Sequence, residues 1–231
     1  MTAVVETSPL PTRTRRGVWL SVASSVLFMA MVLLLFLNRF LLPTHLTAEQ
    51  LSNDAVRVLQ EPRPLVLGNL QNQLGEPVTP AFFQGHWSLL FFGFTHCPDI
   101  CPTTLYELNR AIKQLPPQLA AKVQVTLVSV DPARDTSQVI ADYVQQFNDG
   151  FTGITGEFVD LKLFANSVSV PFVKVPVTGP HAQHMGANAY QIDHGAQLVV
   201  VNPDGNYHAF FKAPIEGDVV AKQLPAIVNA Y

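Results

Sequence analysis

The sequence predicts an α/β domain, with a central mixed sheet flanked by helices, behind one N-terminal transmembrane helix. Three observations carry this prediction. Residues 18–37, VWLSVASSVLFMAMVLLLFL, contain no charged side chain and have about the length a helix needs to cross a bilayer. Further on, WSLLFFGF (87–94) and VQVTLVSV (123–130) read as strands covered on both faces. Each is followed by a segment with apolar residues at helical spacing.

The chain has 231 residues, 48% of them hydrophobic, enough for one well-packed domain plus extras and too apolar for a disordered chain. Charged residues make up 13%, against about a quarter in ordinary domains, and the apolar segment is one cause. The net charge of −3 provides no basic footprint, so no nucleic-acid partner is expected.

Arg13, Arg15 and Arg16 precede the apolar segment and Arg39 follows it. The positive-inside bias therefore places the N-terminus in the cytoplasm and everything beyond about Asn38 outside. A cleaved signal peptide would have a shorter apolar core, about 7–15 residues, and a small-residue cleavage site. Here the run continues through Phe36 and Leu37 into Asn38, Arg39 and Phe40, which favours an uncleaved anchor. No cysteine lies near it, which excludes a thioether lipid there. The expected division is a cytoplasmic tail (1–17), an anchor (18–42), a stalk (43–63) and a folded domain (64–231). The short leader lacks a long Arg/Ser-rich transit segment, so the expected place is a bacterial inner membrane, single-pass, with the domain in the periplasm. That compartment is oxidising.

Within the stalk, Thr47 with Gln50 three residues on predicts a capped short helix through about Leu59. The strand 87–94 leads into a helix over 103–115, with Leu105, Leu108, Ile112 and Leu115 on one face. The strand 123–130 leads through DPARDT to a helix capped by Thr136 or Asp135 and carrying Val139, Ile140, Tyr143, Val144 and Phe147. Such a unit crosses over right-handed. Residues 150–156 read as a turn-rich break, 159–168 as a short helix, and 171–188 as a long loop with three prolines. NPDG between 197–201 and 207–212 predicts a hairpin. A last helix covers about 217–229, kinked at Pro225. A parallel unit followed by a hairpin and a terminal helix is a thioredoxin-like order.

The two cysteines, Cys97 and Cys101, stand in FTHCPDICP (94–102), where the first central strand gives way to its helix. A helix N-terminus there favours negative charge and lowers thiol pKa. A structural disulfide closing so short a loop adds little constraint. A redox dithiol is a second reading, although thioredoxin-like oxidoreductases use a spacing one residue shorter, and a peroxidatic cysteine with its resolving partner is a third. In the fourth reading, positions i and i+4 share a helix face, and two thiolates converge on a soft ion such as Cu(I) or zinc. Two ligands leave such a site incomplete. Of seven histidines, His45 and His86 read as solvated, His208 as exposed in the hairpin, and His96 as pointing away from Cys97. His181 and His184, with Met185 in PHAQHM, form a copper-compatible auxiliary group. His194, in YQIDHG directly before the strand at 197–201, lies where the loop should face the cysteine helix. It is either a ligand or a core or capping histidine, and Asp193 could orient its ring. Asp131 and Arg134 either shape the site or form a turn and helix cap.

GFTHCPDICP, DPARDT, FTGITG and YQIDHG followed by a strand and NPDG together resemble the SCO/SenC family, in that family's order from about Pro64 to Tyr231. The resemblance implies a thioredoxin-like domain on a single anchor and copper, as Cu(I) or Cu(II), bound by Cys97, Cys101 and His194. It implies a copper metallochaperone for the dinuclear copper centre of cytochrome c oxidase subunit II, supplied by a periplasmic copper donor or thiol reductant. Reduction of that subunit's disulfide by Cys97 and Cys101 as the catalytic pair is the alternative activity, and a copper or redox sensor is a third.

Overall fold

The computed structural model of the chain describes residues 12–41, 46–176 and 190–231. They fall in two compact units, Met1–His45 and Leu46–Tyr231. The first holds helix α1 (Thr12–Leu41), whose segment Gly17–Leu37 is long and apolar enough to cross a membrane. Two of its serines bond back to the helix's own carbonyls. The Ser21 hydroxyl donates to the Val18 carbonyl at 2.9 Å and that of Ser25 to Ser21 at 3.0 Å, which suits a helix surrounded by hydrocarbon.

The second unit is built on a seven-stranded mixed sheet. Its strands are β1 (Val56–Pro64), β2 (Leu70–Asn72), β3 (Trp87–Gly93), β4 (Val123–Ser129), β5 (Thr152–Gly156), β8 (Leu198–Val201) and β9 (Asn206–Phe211), in the order β1-β9-β8-β3-β4-β5-β2. β3, β4 and β5 run parallel, and the other pairings are antiparallel. The short strands β6 (Phe172–Pro176) and β7 (Tyr190–His194) form a separate antiparallel pair.

Strand period decides which face each side chain covers. Leu89 and Phe91 of β3, Val125 and Leu127 of β4, and Leu198 and Val200 of β8 pack into one core. There they meet α3 (Ile100–Gln114), α5 (Ser137–Gln145) and α7 (Gly217–Ala230). Leu90, Phe92, Val128 and Val199 point to the other face, against α6 (Phe158–Ser167) and Phe83. Burying each such side chain contributes about 1.5–3 kcal/mol, so β3, with all seven residues buried, is the centre of the fold. Two single-turn helices, α2 (Ala48–Leu51) and α4 (Pro117–Ala120), complete the unit.

Several expectations are revised. In place of a stalk over 43–63, Val56–Pro64 is an edge strand paired with β9, and Val56 and Val58 alternate into the core. The capping box at Thr47 forms: the Thr47 N–H donates to Gln50 Oε1 at 2.9 Å and the Gln50 N–H to Thr47 Oγ1 at 3.3 Å. The helix it starts lasts one turn, because strand β1 begins five residues later. FTGITG is strand β5 rather than a turn. Its Gly153 is there for space: a Cβ would stand 2.0 Å from Ile140 Cγ2 of α5, and such close approach is what strand glycine allows. The proline-rich stretch expected as a loop begins as strand β6.

His208 is 9% exposed rather than solvated. Its ring meets Trp87 edge-on at 5.4 Å and Tyr231 at 5.5 Å, and its Nδ1 is buried without a partner among the described residues. Burial holds its pKa below the usual 6.5. The native state thus keeps it neutral while the unfolded chain takes up a proton. Its contribution to stability is complete above pH 6.5 and is lost as pH falls below that value toward the lowered folded pKa. The drop in Tm between about pH 7 and pH 5 should be smaller in His208→Phe than in the wild type. Equal drops would show that His208 is not the group responsible.

Candidate metal and redox site

β3 ends at Gly93, and the chain passes through 94–99 before α3 starts at Ile100. Cys97 lies half-buried in this connection, and Cys101, in the first turn of α3, is fully buried. Both are free thiols. Asp99 occupies the N-cap position but makes no side-chain cap, so the first N–H groups of the helix are open to another acceptor. Cys97 is that acceptor: the Cys101 N–H donates to its Sγ at 3.4 Å. Cys101 fits beneath the strand because residue 93 is glycine. A Cβ there would lie 2.8 Å from Cys101 Sγ and 2.9 Å from the Phe91 ring.

This packing makes the two sulfurs unequal. Hydrogen bonding from the Cys101 thiol, helped by the Cys101 and Asp99 backbone and by His194, outweighs burial and lowers the Cys97 pKa from 9.0 to about 5. The same thiol contact, with burial, pushes Cys101 well up. Near neutrality the pair carries one negative charge, on Cys97. Iodoacetamide should therefore alkylate Cys97 alone in the reduced native protein. The rate should rise as pH increases through about 5, because the thiolate is the reacting form. Equal labelling of both cysteines, or a rate midpoint near 9, would contradict the assignment.

The connection carrying Cys97 is tied down by Asp135. This carboxylate is fully buried and accepts from the Thr95 N–H at 3.0 Å, the Thr95 hydroxyl at 2.5 Å and the Ser129 hydroxyl at 2.7 Å. The helix cap next to it is Thr136, whose Oγ1 accepts from the Val139 N–H at 3.3 Å. His96, exposed, stands 3.8 Å from Asp135.

His194 ends β7. It faces Cys97 across a cavity of about 580 Å³, whose walls include Phe94, Ile100, Arg134 and Tyr190. The ring rests edge-on against Phe91 at 6.3 Å and Phe94 at 6.1 Å. Its Nδ1 lies 3.1 Å from the Gly195 carbonyl, which can only accept. That hydrogen bond requires the proton on Nδ1 and leaves the lone pair on Nε2. The ring's hydrogen-bond partner is this carbonyl rather than Asp193, which is exposed. A larger groove of about 1270 Å³ along the loops after β4 and β5 has no cysteine or histidine in its lining.

The structure thus sets the Cys101 N–H against Cys97 Sγ and places His194 and Cys97 on one cavity. Among the described residues, no three His, Cys, Asp or Glu side chains converge closely enough to hold an ion. His86 is half-buried, with Nδ1 3.1 Å from the Gln84 carbonyl. His208 belongs to the aromatic cluster with Trp87 and Tyr231. His45, His181, His184 and Met185 lie outside the described residues. Asp131 and Arg134 are not merely a turn. Asp131, 2% exposed, bonds Arg134 Nε with one oxygen and accepts from the Tyr190 hydroxyl at 2.7 Å with the other. Sequence reasoning assigned no role to Tyr190, and read Asp135 only as a cap. A half-buried tyrosine four residues before His194 on the same strand face is a signal of period two, visible once 190–194 is read as a strand.

Residues 69–229 match the family model described as SCO1/SenC. A putative copper-binding protein of Stutzerimonas stutzeri is 36% identical over 178 residues, covering 76% of this chain and 83% of that protein. The mitochondrial SCO1 homolog 1 of Arabidopsis thaliana is 34% identical over 137 residues, 59% of this chain, which spans only 39% of that relative's length. The crystal structure of Arabidopsis thaliana ScoI with copper bound superposes with a TM-score of 0.63 at 30% identity, covering 71% of this chain and 97% of that one. With the family model spanning the domain and the thioredoxin-like sheet shared with that structure, the chain belongs to the SCO1/SenC family.

Proposed function

We propose that this protein is a membrane-anchored copper metallochaperone that binds copper through Cys97, Cys101 and His194 and delivers it to the dinuclear copper centre of cytochrome c oxidase subunit II. The observation that carries this reading is the Cys101 N–H bonded to Cys97 Sγ, with the His194 imidazole lining the same cavity as Cys97. The donor set fits: two thiolates and an imidazole suit copper as Cu(I) or Cu(II), Cys97 is ionised near neutrality, and Nε2 of His194 holds its lone pair. The copper-binding relative and the copper-bound ScoI structure support the choice of metal. Cys101 must lose its proton on binding, so affinity falls with acid. Three ligands leave copper unsaturated and open to exchange with the thiolates of an acceptor. In this reading α1 holds the protein in a bacterial inner membrane with its N-terminus cytoplasmic and its domain periplasmic, where a copper donor or thiol reductant serves it.

A second reading is favoured by the inequality of the sulfurs. Cys97 thiolate attacks an acceptor disulfide, expelling one acceptor thiolate and leaving a mixed disulfide. Cys101 then loses its proton and attacks Cys97 Sγ, releasing the second acceptor thiolate. Two electrons pass to the acceptor, and Cys97–Cys101 becomes the disulfide that a periplasmic thiol reductant resets.

Titrating the reduced full-length protein in detergent with Cu(I), and then adding a peptide with the copper-binding loop of subunit II, tests the first reading. One ion per chain and transfer to the peptide are expected. Absence of uptake, or uptake unchanged in Cys97→Ser, sinks it.

A further inference from the structure

β6 and β7 pair only with each other among the described strands, and a two-stranded ribbon is marginal in water by itself. Something must hold β7 where His194 faces Cys97. Phe172 and Ile192 anchor the ribbon in the core, and the Gly195 N–H donates to the Pro171 carbonyl at 3.1 Å. The remaining tie is polar. Tyr190 and His194 share a face of β7, and the Tyr190 hydroxyl reaches Asp131 just beyond the end of β4 at 2.7 Å. The Arg134 guanidinium, paired with the second Asp131 oxygen, stands 4.2 Å over the Tyr190 ring and 5.6 Å from that of Phe94. Phe94 in turn supports the His194 ring. The Lys174 ammonium, from β6, lies 3.4 Å from the Tyr190 ring centre.

We propose that Tyr190, held by Asp131 and Arg134, is a positioning residue that fixes β7 and so presents His194 to Cys97. The consequence for the metal rests on the copper reading above, while the geometry does not. A buried ion pair adds little net stability because desolvation offsets its attraction. This one also leaves Arg134 Nη2 buried without a partner among the described residues. Its product is placement: both carboxylate oxygens are committed, one to the loop after β4 and one to the strand of the histidine.

The test is Tyr190→Phe in the full-length protein in detergent, which removes one oxygen and keeps the ring. Two readouts are taken. Amide hydrogen exchange of the metal-free protein should become about tenfold faster in 190–194 and stay unchanged in β3 and β4. Cu(I) affinity should fall by about tenfold, as for the loss of an outer-shell support, with a shifted thiolate-to-Cu(II) charge-transfer band. In a His194→Ala background, Tyr190→Phe should change neither the affinity nor the band. Unchanged exchange in 190–194 overturns the proposal. Faster exchange with wild-type affinity and band also overturns it, as does an equal loss of affinity in the His194→Ala background. A wild-type protein that takes up no copper overturns the copper reading, and the exchange result then decides by itself whether Tyr190 holds the strand.

Discussion

Replacing His194 with alanine should lower the Cu(I) affinity of the reduced protein by at least about a hundredfold, since losing an outer support alone costs about 10–100-fold. Reduction of an acceptor disulfide peptide should be untouched, because that chemistry uses only the two sulfurs. Paired measurements on one variant therefore separate the two activities. Copper affinity is read by competition with a Cu(I) chelator, and peptide reduction by release of thiols. If affinity holds, His194 is not a ligand and the copper site must be sought elsewhere. If affinity and reduction fall together, the imidazole matters to the thiols themselves. In that case its part in lowering the Cys97 pKa does more than the geometry requires.

The second large effect is expected at a residue that touches no cargo. Asp135→Ala should destabilise the protein by roughly 3–5 kcal/mol, because it strands three donors that now bond a buried carboxylate. That is a large share of the roughly 5–15 kcal/mol that holds a domain folded. Urea unfolding should show a lower midpoint with an unchanged slope. Asp142, whose side chain accepts from Gln138 at an exposed site, is the control, and its alanine variant should stay within about 0.5 kcal/mol. A loss below about 1 kcal/mol in Asp135→Ala would mean that the carboxylate is not the tie that holds Thr95, and with it the connection to Cys97.

Much of the architecture was legible because the buried elements obey a period. β3 and β4 read as strands from unbroken apolar runs, and α3 and α5 from spacing, and all four lie within a few residues of expectation. The elements that escaped reading are those set by neighbours. β5 is rich in glycine because Ile140 fills the space of a side chain at Gly153, and Asn69 and Leu70 fill it at Gly156, so its composition imitates a turn. β1 hides a strand in VRVLQEPRP because six of its nine residues are exposed. The site divides the same way. Cysteine spacing and the YQIDHG element pointed to Cys97, Cys101 and His194 before any fold was known. The inequality of the sulfurs depends on which thiol is covered by β3, and the use of Asp135 depends on where residues forty positions apart meet. Neither is a property of local sequence. His208 was misjudged for the same reason, since its neighbours are Trp87 and the terminal Tyr231.

The glycine that ends β3 also dictates an order of events. Cys101 is buried against Gly93, where a Cβ would lie 2.8 Å from its sulfur, with the half-buried Cys97 as its outer neighbour. With Cys101 buried and Cys97 half-buried, the outer sulfur is the one a reagent meets first. In the two readings proposed above, an incoming thiol would form its bond at Cys97 and an outgoing ion would last be held there, with the inner position acting as a queue of length one.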